Sequence, residues 1–161
     1  MKIKTKLLLG IGLLFLMIVL LTTLSTFFFF LLSGDTKNIL VANYNTIDYC
    51  RQMQIELNKG FEHPAATQSF RQYLTKQKGN ITEVGELQMT DKLEADFENL
   101  LKDPKNDSVH KTVQKDITDI MLLNMQAIQR KSKVAENTAD FSVLWVTVIG
   151  TICFLIAFTM L

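Results

Sequence analysis

Two stretches of this chain carry no charge, and they dictate most of what it can become. The first runs from Leu7 to Leu32, interrupted only by Gly, Thr and Ser; the second runs from Phe141 to Leu161. At about 1.5 Å per residue, helices of these lengths reach roughly 39 and 31 Å, against a hydrocarbon core about 30 Å thick. Both read as transmembrane helices, and the first has length to spare for tilt or outward extension. The sequence thus divides into residues 1–6, a first span at 7–32, a polar segment at 33–140 and a second span at 141–161.

Lys2, Lys4 and Lys6 give the first run the basic leader of a secretory signal. A signal's apolar core runs only about 7–15 residues and ends at a small-residue cleavage site. This one is far longer and ends "FFFFLLSGD" with no Ala-x-Ala pattern, so an uncleaved anchor is expected. The same lysines favour a cytoplasmic N-terminus. Arg130, Lys131 and Lys133 stand just before the second span, on what is then the exported side. The polar segment is roughly 108 residues long, beyond the roughly 60 over which loop charge steers orientation, so the first span should decide. The expectation is an exported domain on a piece of a longer protein.

Charge adds little: 17 basic against 16 acidic residues leave a formal charge of +1, which offers no footing for nucleic acid. Cys50 and Cys153 lie in different segments and form no intrachain disulfide; both read as small apolar fillers.

Within the polar segment strand alternation is absent and apolar residues recur at threes and fours. Tyr44, Ile47, Cys50, Met53 and Leu57 form one stripe, with Leu40 below it. Gly60 and Pro64 bracket a turn, and Pro64 suits the first position of a helix. A short helix, Ala65 to Lys78, carries Phe70, Tyr73 and Leu74 and stops at Gly79 after Lys76 and Lys78. The next begins near Thr82, whose hydroxyl can cap it, with Glu83 and Glu86 at the positive end of the dipole. Its stripe is Leu87, Met89, Leu93, Phe97, Leu100 and Leu101. After the loop "KDPKNDS", a last helix starts near Ser108 with Val109, Val113, Ile117, Ile120, Asn124 and Ile128 in register. Four helices let the chain leave and re-enter one membrane face. The expected fold is therefore all-α: an antiparallel up-down four-helix bundle flanked by two transmembrane helices.

The first and last of these helices would outreach the middle pair, leaving a membrane-proximal zone with only two helices per chain. A homodimer would complete that zone. Past Ile128 the stripe thins to Val134, Ala135, Thr138 and Ala139, a seam of small residues over which backbones can approach closely and shift easily. No Pro or Gly interrupts the chain between Asn124 and Gly150. A shift in the bundle should therefore reach the second span as one rod.

Four phrases carry a resemblance: "MKIKTKLLLGIGLLFLMIVLL", "ILVANYNTIDYCRQM", "GNITEVGE" and "LLNMQAIQRKSKVAENTADFSVLWVTVIGTICFLIAF". Together they are similar to the N-terminal sensor region of bacterial transmembrane histidine kinases with a helical KinB-type periplasmic sensor domain. The resemblance implies an inner-membrane protein with residues 33–140 periplasmic. It also implies a continuation into HAMP, PAS and kinase domains that bind ATP and Mg and phosphorylate a cognate response regulator. No catalytic residue and no cofactor is expected within these 161 residues. A methyl-accepting chemoreceptor and a non-signalling membrane scaffold share the two-span architecture and stand as alternatives.

Asn43, Tyr44, Arg51 and Asn124 could line a pocket between helices for a small polar ligand. Alternatively, Asn43 and Asn124 satisfy each other, or a water, and Arg51 is solvated, since polar residues on bundle seams commonly specify pairing. Tyr49 and the other aromatics read as core. His63 and His110 have no partner at metal-ligand spacing. Asn80-Ile81-Thr82 and Asn106-Asp107-Ser108 match a glycosylation pattern that means nothing in a bacterial protein. Phe141 and Trp145 suit a membrane interface. Gly150, Thr147 and Thr151 could form a small-residue packing face. Gly-rich phosphate loops, nucleophile elbows and paired catalytic carboxylates are absent from the sequence.

Overall fold

The structure, a computed structural model, describes the backbone of residues 3–160, and their side chains apart from residues 3–7, Leu9, residues 31–40, Ala157 and Met160. The expected packing of Leu40, the lysines at 2, 4 and 6 and the end of the second apolar run at Leu161 lie outside the described side chains. The described residues are all-helical, with no strand: α1 Ile3–Lys59, α2 Pro64–Lys78, α3 Glu86–Lys102 and α4 Asp107–Met160. The two outer helices, at 57 and 54 residues, are far longer than α2 and α3, at 15 and 17. α1 continues without a break from its apolar run into the stripe around Cys50, and α4 does the reverse.

Two compact units make up the chain. One comprises Met1–Thr36 with Ser132–Leu161, the other Lys37–Lys131. In the first, Gly10–Phe30 of α1 has a mean hydropathy of 2.5 and the apolar window of α4 reaches 2.0. Neither window is buried at all, unlike a core helix of a soluble protein, and both helices are long and apolar enough to cross a membrane. Thr22, Thr23, Thr147 and Thr151 each donate a hydroxyl to the carbonyl four residues back, so these polar groups need no water. Phe141 and Trp145 meet edge to face at 5.9 Å. A Cβ built on Gly150 would meet nothing within 4 Å, so the small-residue face there is open.

The second unit has a single apolar core drawn from all four helices: Cys50, Met53 and Leu57; Ala66, Phe70 and Leu74; Leu93, Phe97 and Leu100; Val113, Ile117 and Ile120. Its densest part is aromatic. Phe70 stacks on Phe97 at 4.2 Å, and Phe61 meets their edges at 5.3 and 5.0 Å, the offset and edge-on arrangements that ring quadrupoles favour. Tyr49 and Tyr73 pack at the margin with Lys76 over both rings.

Backbone sterics explain the first turn. α1 stops at Lys59 because Gly60 takes φ +84°, and α2 restarts with Pro64 at its first turn, where a missing N–H costs nothing. Two expectations need correction. α3 starts at Glu86 and not near Thr82, because Thr82 and Glu83 turn back to meet the Glu86 carboxylate. Tyr44, Leu87 and Met89 do not belong to the core; they are exposed, and the buried stripes run through Asn43, Thr46 and Cys50 and through Glu86, Thr90 and Leu93. α4 begins at Asp107, beside the expected start near Ser108, and Asn106 caps it, its Oδ1 accepting from the Val109 amide at 3.2 Å.

Candidate functional site: a buried polar clamp

The end of the core opposite the phenylalanines is polar, and Glu86 sits at its centre. It falls on the buried stripe of α3 at the helix start and is fully buried. One oxygen, Oε1, accepts from Thr46 Oγ1 at 3.3 Å, Gln77 Nε2 at 2.9 Å and Asn124 Nδ2 at 2.8 Å. The other, Oε2, accepts the Thr82 and Glu83 amides at 2.8 and 2.9 Å. Burial pushes the Glu86 pKa up, but these donors outweigh it and hold the carboxyl below the ordinary value. A buried carboxylate is stable only when hydrogen-bonded in this way. Through its five donors Glu86 ties α1, α2, α4 and the α2–α3 turn to one point.

A second layer surrounds it. Asn43 Nδ2 donates to Asn124 Oδ1 at 2.7 Å, to Glu83 Oε1 at 3.1 Å and to Thr82 Oγ1 at 3.4 Å. Lys131 Nζ donates to Asn43 Oδ1 at 2.8 Å and pairs with the Glu83 carboxylate; Arg130 reaches the same carboxylate at 3.3 Å. Burial raises the Glu83 pKa, but the Lys131 and Asn43 bonds and the two cations outweigh it and leave the carboxyl below its ordinary value. Asn80 fastens the turn to α1 through the Ala42 carbonyl at 2.7 Å and Thr46 Oγ1 at 2.9 Å. The Cys50 thiol, close to this charge, is pushed up to about 12 by burial first and by Glu86 second, which leaves it an inert filler.

The four residues expected at a ligand pocket are placed differently from one another. Asn43 and Asn124 are buried and bonded to each other, the second of the two readings offered by the sequence. Tyr44 is 58% exposed, outside the cluster, which corrects its placement on the inner face. Arg51 is exposed and bonds Asp48 Oδ1 at 3.0 Å. An open groove of about 600 Å³ near the α1–α2 turn is lined by Glu56, Lys59, His63, Ala65, Ala66 and Ser69, and none of the four borders it. Of the expected seam, Val134 is exposed and Ala135, Thr138 and Ala139 are half-buried. Thr138 donates to the Val134 carbonyl at 2.9 Å.

Reading by hydrophobicity missed Glu86, Gln77, Thr46 and Lys131. The available signal was spacing: continuing the α3 stripe backwards from Leu100 through Phe97, Leu93 and Thr90 lands on Glu86. Among the described residues no three His, Cys, Asp or Glu gather as a metal site. Chemically the cluster is a clamp. Its donors and acceptors face one another, and it holds helices together without presenting a nucleophile. Comparison with protein-family models, curated proteins and solved structures finds no match.

Proposed function

We propose that this chain is the input module of a membrane sensor, and that the sensor is a two-component histidine kinase. In this reading α1 and α4 cross the bacterial inner membrane at 7–32 and 141–161, with residues 1–6 in the cytoplasm. Residues 33–140 form an antiparallel up-down four-helix domain in the periplasm. A small molecule or protein that favours one packing of the helices would shift the balance between two states; equal affinity for both would shift nothing. A cytoplasmic kinase, binding ATP and Mg, would convert the shift into phosphorylation of its response regulator.

The observation that carries this reading is α4. It is a 54-residue helix that supplies Val113, Ile117 and Ile120 to the core and includes the second apolar window. A helix without a hinge passes rotation or sliding along its length instead of absorbing it. The small residues Val134, Ala135, Thr138 and Ala139 make a seam that little energy would hold in one register. A homodimer fits the lengths of the middle helices: α2 and α3, at 15 and 17 residues, are too short to accompany α1 and α4 to a membrane.

The test is phase. In the complete kinase, two residues inserted after Ala139 turn the downstream helix by roughly 200°, whereas seven restore it to within about 20°. Output should be locked or lost with two and regulated with seven. Normal regulation with both would contradict transmission through α4.

A further inference from the structure

We propose that Glu83 is a releasable latch: its carboxylate holds the outgoing end of α4, at Arg130 and Lys131, to the α2–α3 turn, and when this ion cluster opens α4 swings about Asn124 while the turn stays with α1. The place of opening is argued from contacts inside the domain. Only its link to kinase output rests on the sensor reading above.

What holds α4 changes along its length. From Val109 to Met121 it is bound by apolar packing in or against the core. Past Met121 it adds nothing to that core. Asn124 and Ala127 are fully buried, but one is polar and the other offers a single methyl group, which buries little area. From Asn124 onward α4 is therefore held mainly by polar ties, and these fall into two tiers. Asn124 is enclosed: its Oδ1 accepts from Asn43 at 2.7 Å and its Nδ2 donates to Glu86 Oε1 at 2.8 Å. Pulling it away would orphan buried donors and acceptors. Arg130 and Lys131 lie about 10 Å further along the helix. Their side chains are 59% and 27% exposed, and both reach the Glu83 carboxylate. Water can solvate these cations once the pairs part, so the outer tier opens at much lower cost than the inner one.

The turn is tied unequally to its two neighbours. Asn80 fastens it to α1 through the Ala42 carbonyl at 2.7 Å and Thr46 Oγ1 at 2.9 Å. Asn43 adds bonds to Thr82 and Glu83, and the Glu86 carboxylate that grips the Thr82 and Glu83 amides also accepts from Thr46. Towards α4 beyond Asn124, every tie among the described residues runs through Glu83 alone. Lys131 has one further bond, to Asn43 Oδ1 of α1 at 2.8 Å. Removing a single charge should thus free the end of α4 and leave the turn where it is. A loss of general stability would loosen both sides alike.

The test uses the whole chain in nanodiscs, carrying C153S, with distances read between pairs of spin labels. Labels at Val84 and Gln129 report the turn against α4; labels at Val84 and Tyr44 report the turn against α1. All three positions are exposed, Val84 at 99%, and Cys50 can remain because it is buried and inert. In the parent chain both distances should be single and narrow. Glu83→Gln should raise the fraction of longer Val84–Gln129 distances at least about tenfold, the scale for losing hydrogen bonds to a charged group. The Val84–Tyr44 distance should not change. Glu94→Gln, which removes the exposed 2.6 Å pair with Lys78, should alter neither. Glu83→Lys and Lys131→Glu should each open the α4 pair, and the two together should close it. The exchange keeps one carboxylate between two cations, and the Asn43 amide can serve either sign. An unchanged Val84–Gln129 distance in E83Q, equal spreading of both pairs, or no recovery in the exchanged chain would each overturn the latch. In the complete kinase, E83Q should shift output towards one extreme. A chain that opens as described with output unaltered would contradict the sensor reading and leave the latch standing.

Discussion

Glu86 accepts five hydrogen bonds while fully buried, so its two oxygens cannot be replaced without orphaning a donor. Glu86→Gln turns one oxygen into an NH₂ that faces other donors, and urea denaturation should find the domain less stable by about 2–4 kcal/mol. The pH dependence has a definite sign. Glu83 and Glu86 are held below their ordinary value of 4.5, so the stability they contribute is full above that value and is lost as pH falls through their folded pKa values. Thermal midpoints of the native chain should therefore drop on acidification below about pH 5, and the E86Q curve should be flatter over the same interval. Parallel curves would contradict the assigned role. At this scale the sequence disclosed polar residues on the seam but not their hub. Asn43 and Asn124 stand out as amides among apolar neighbours. Glu86 reads as a dipole partner until its spacing to Thr90, Leu93 and Phe97 is taken seriously.

Element boundaries divide according to what sets them. Gly60 and Pro64 fix the end of α1 and the start of α2 through local sterics, and local sterics are legible in a sequence. The start of α3 is set by a carboxylate that captures two amides of the preceding turn while bonded to α1 and α4, and no local pattern announces that. The start of α4 lies between these cases. Asn106 is a good cap by type, yet Ser108 two residues on is equally plausible. Asn106→Ala should cost about 1 kcal/mol of unfolding free energy and Ser108→Ala much less, measured by the same urea titration. The reverse order would mean the helix is capped elsewhere. Tyr44 and Leu87 show the other limit. Both are apolar residues beside a buried stripe, and hydrophobicity alone assigned them to the core in place of the polar neighbours that are there.

For the whole molecule, the two apolar runs and the all-helical class were plain from composition and periodicity, because lipid-length runs and helical spacing need no knowledge of contacts. The reach of the two outer helices was legible only in part. Absence of breakers suggested that α4 is continuous, and α4 is indeed helical from Asp107 to Met160. For α1 the sequence reading gave a span at 7–32 and a separate bundle stripe from Leu40 to Leu57 without joining them, whereas one helix extends from Ile3 to Lys59. Both features serve the proposed function only if they persist in a bilayer. Spin labels on cysteines at Gln129 and Thr147, both exposed, test this for α4 in the C153S chain reconstituted in nanodiscs. An unbroken helix places the two backbones about 27 Å apart, with a single narrow distance distribution. A broad distribution, or a mean well short of that distance, would show the helix broken between the domain and the second apolar run and would contradict transmission by a continuous rod.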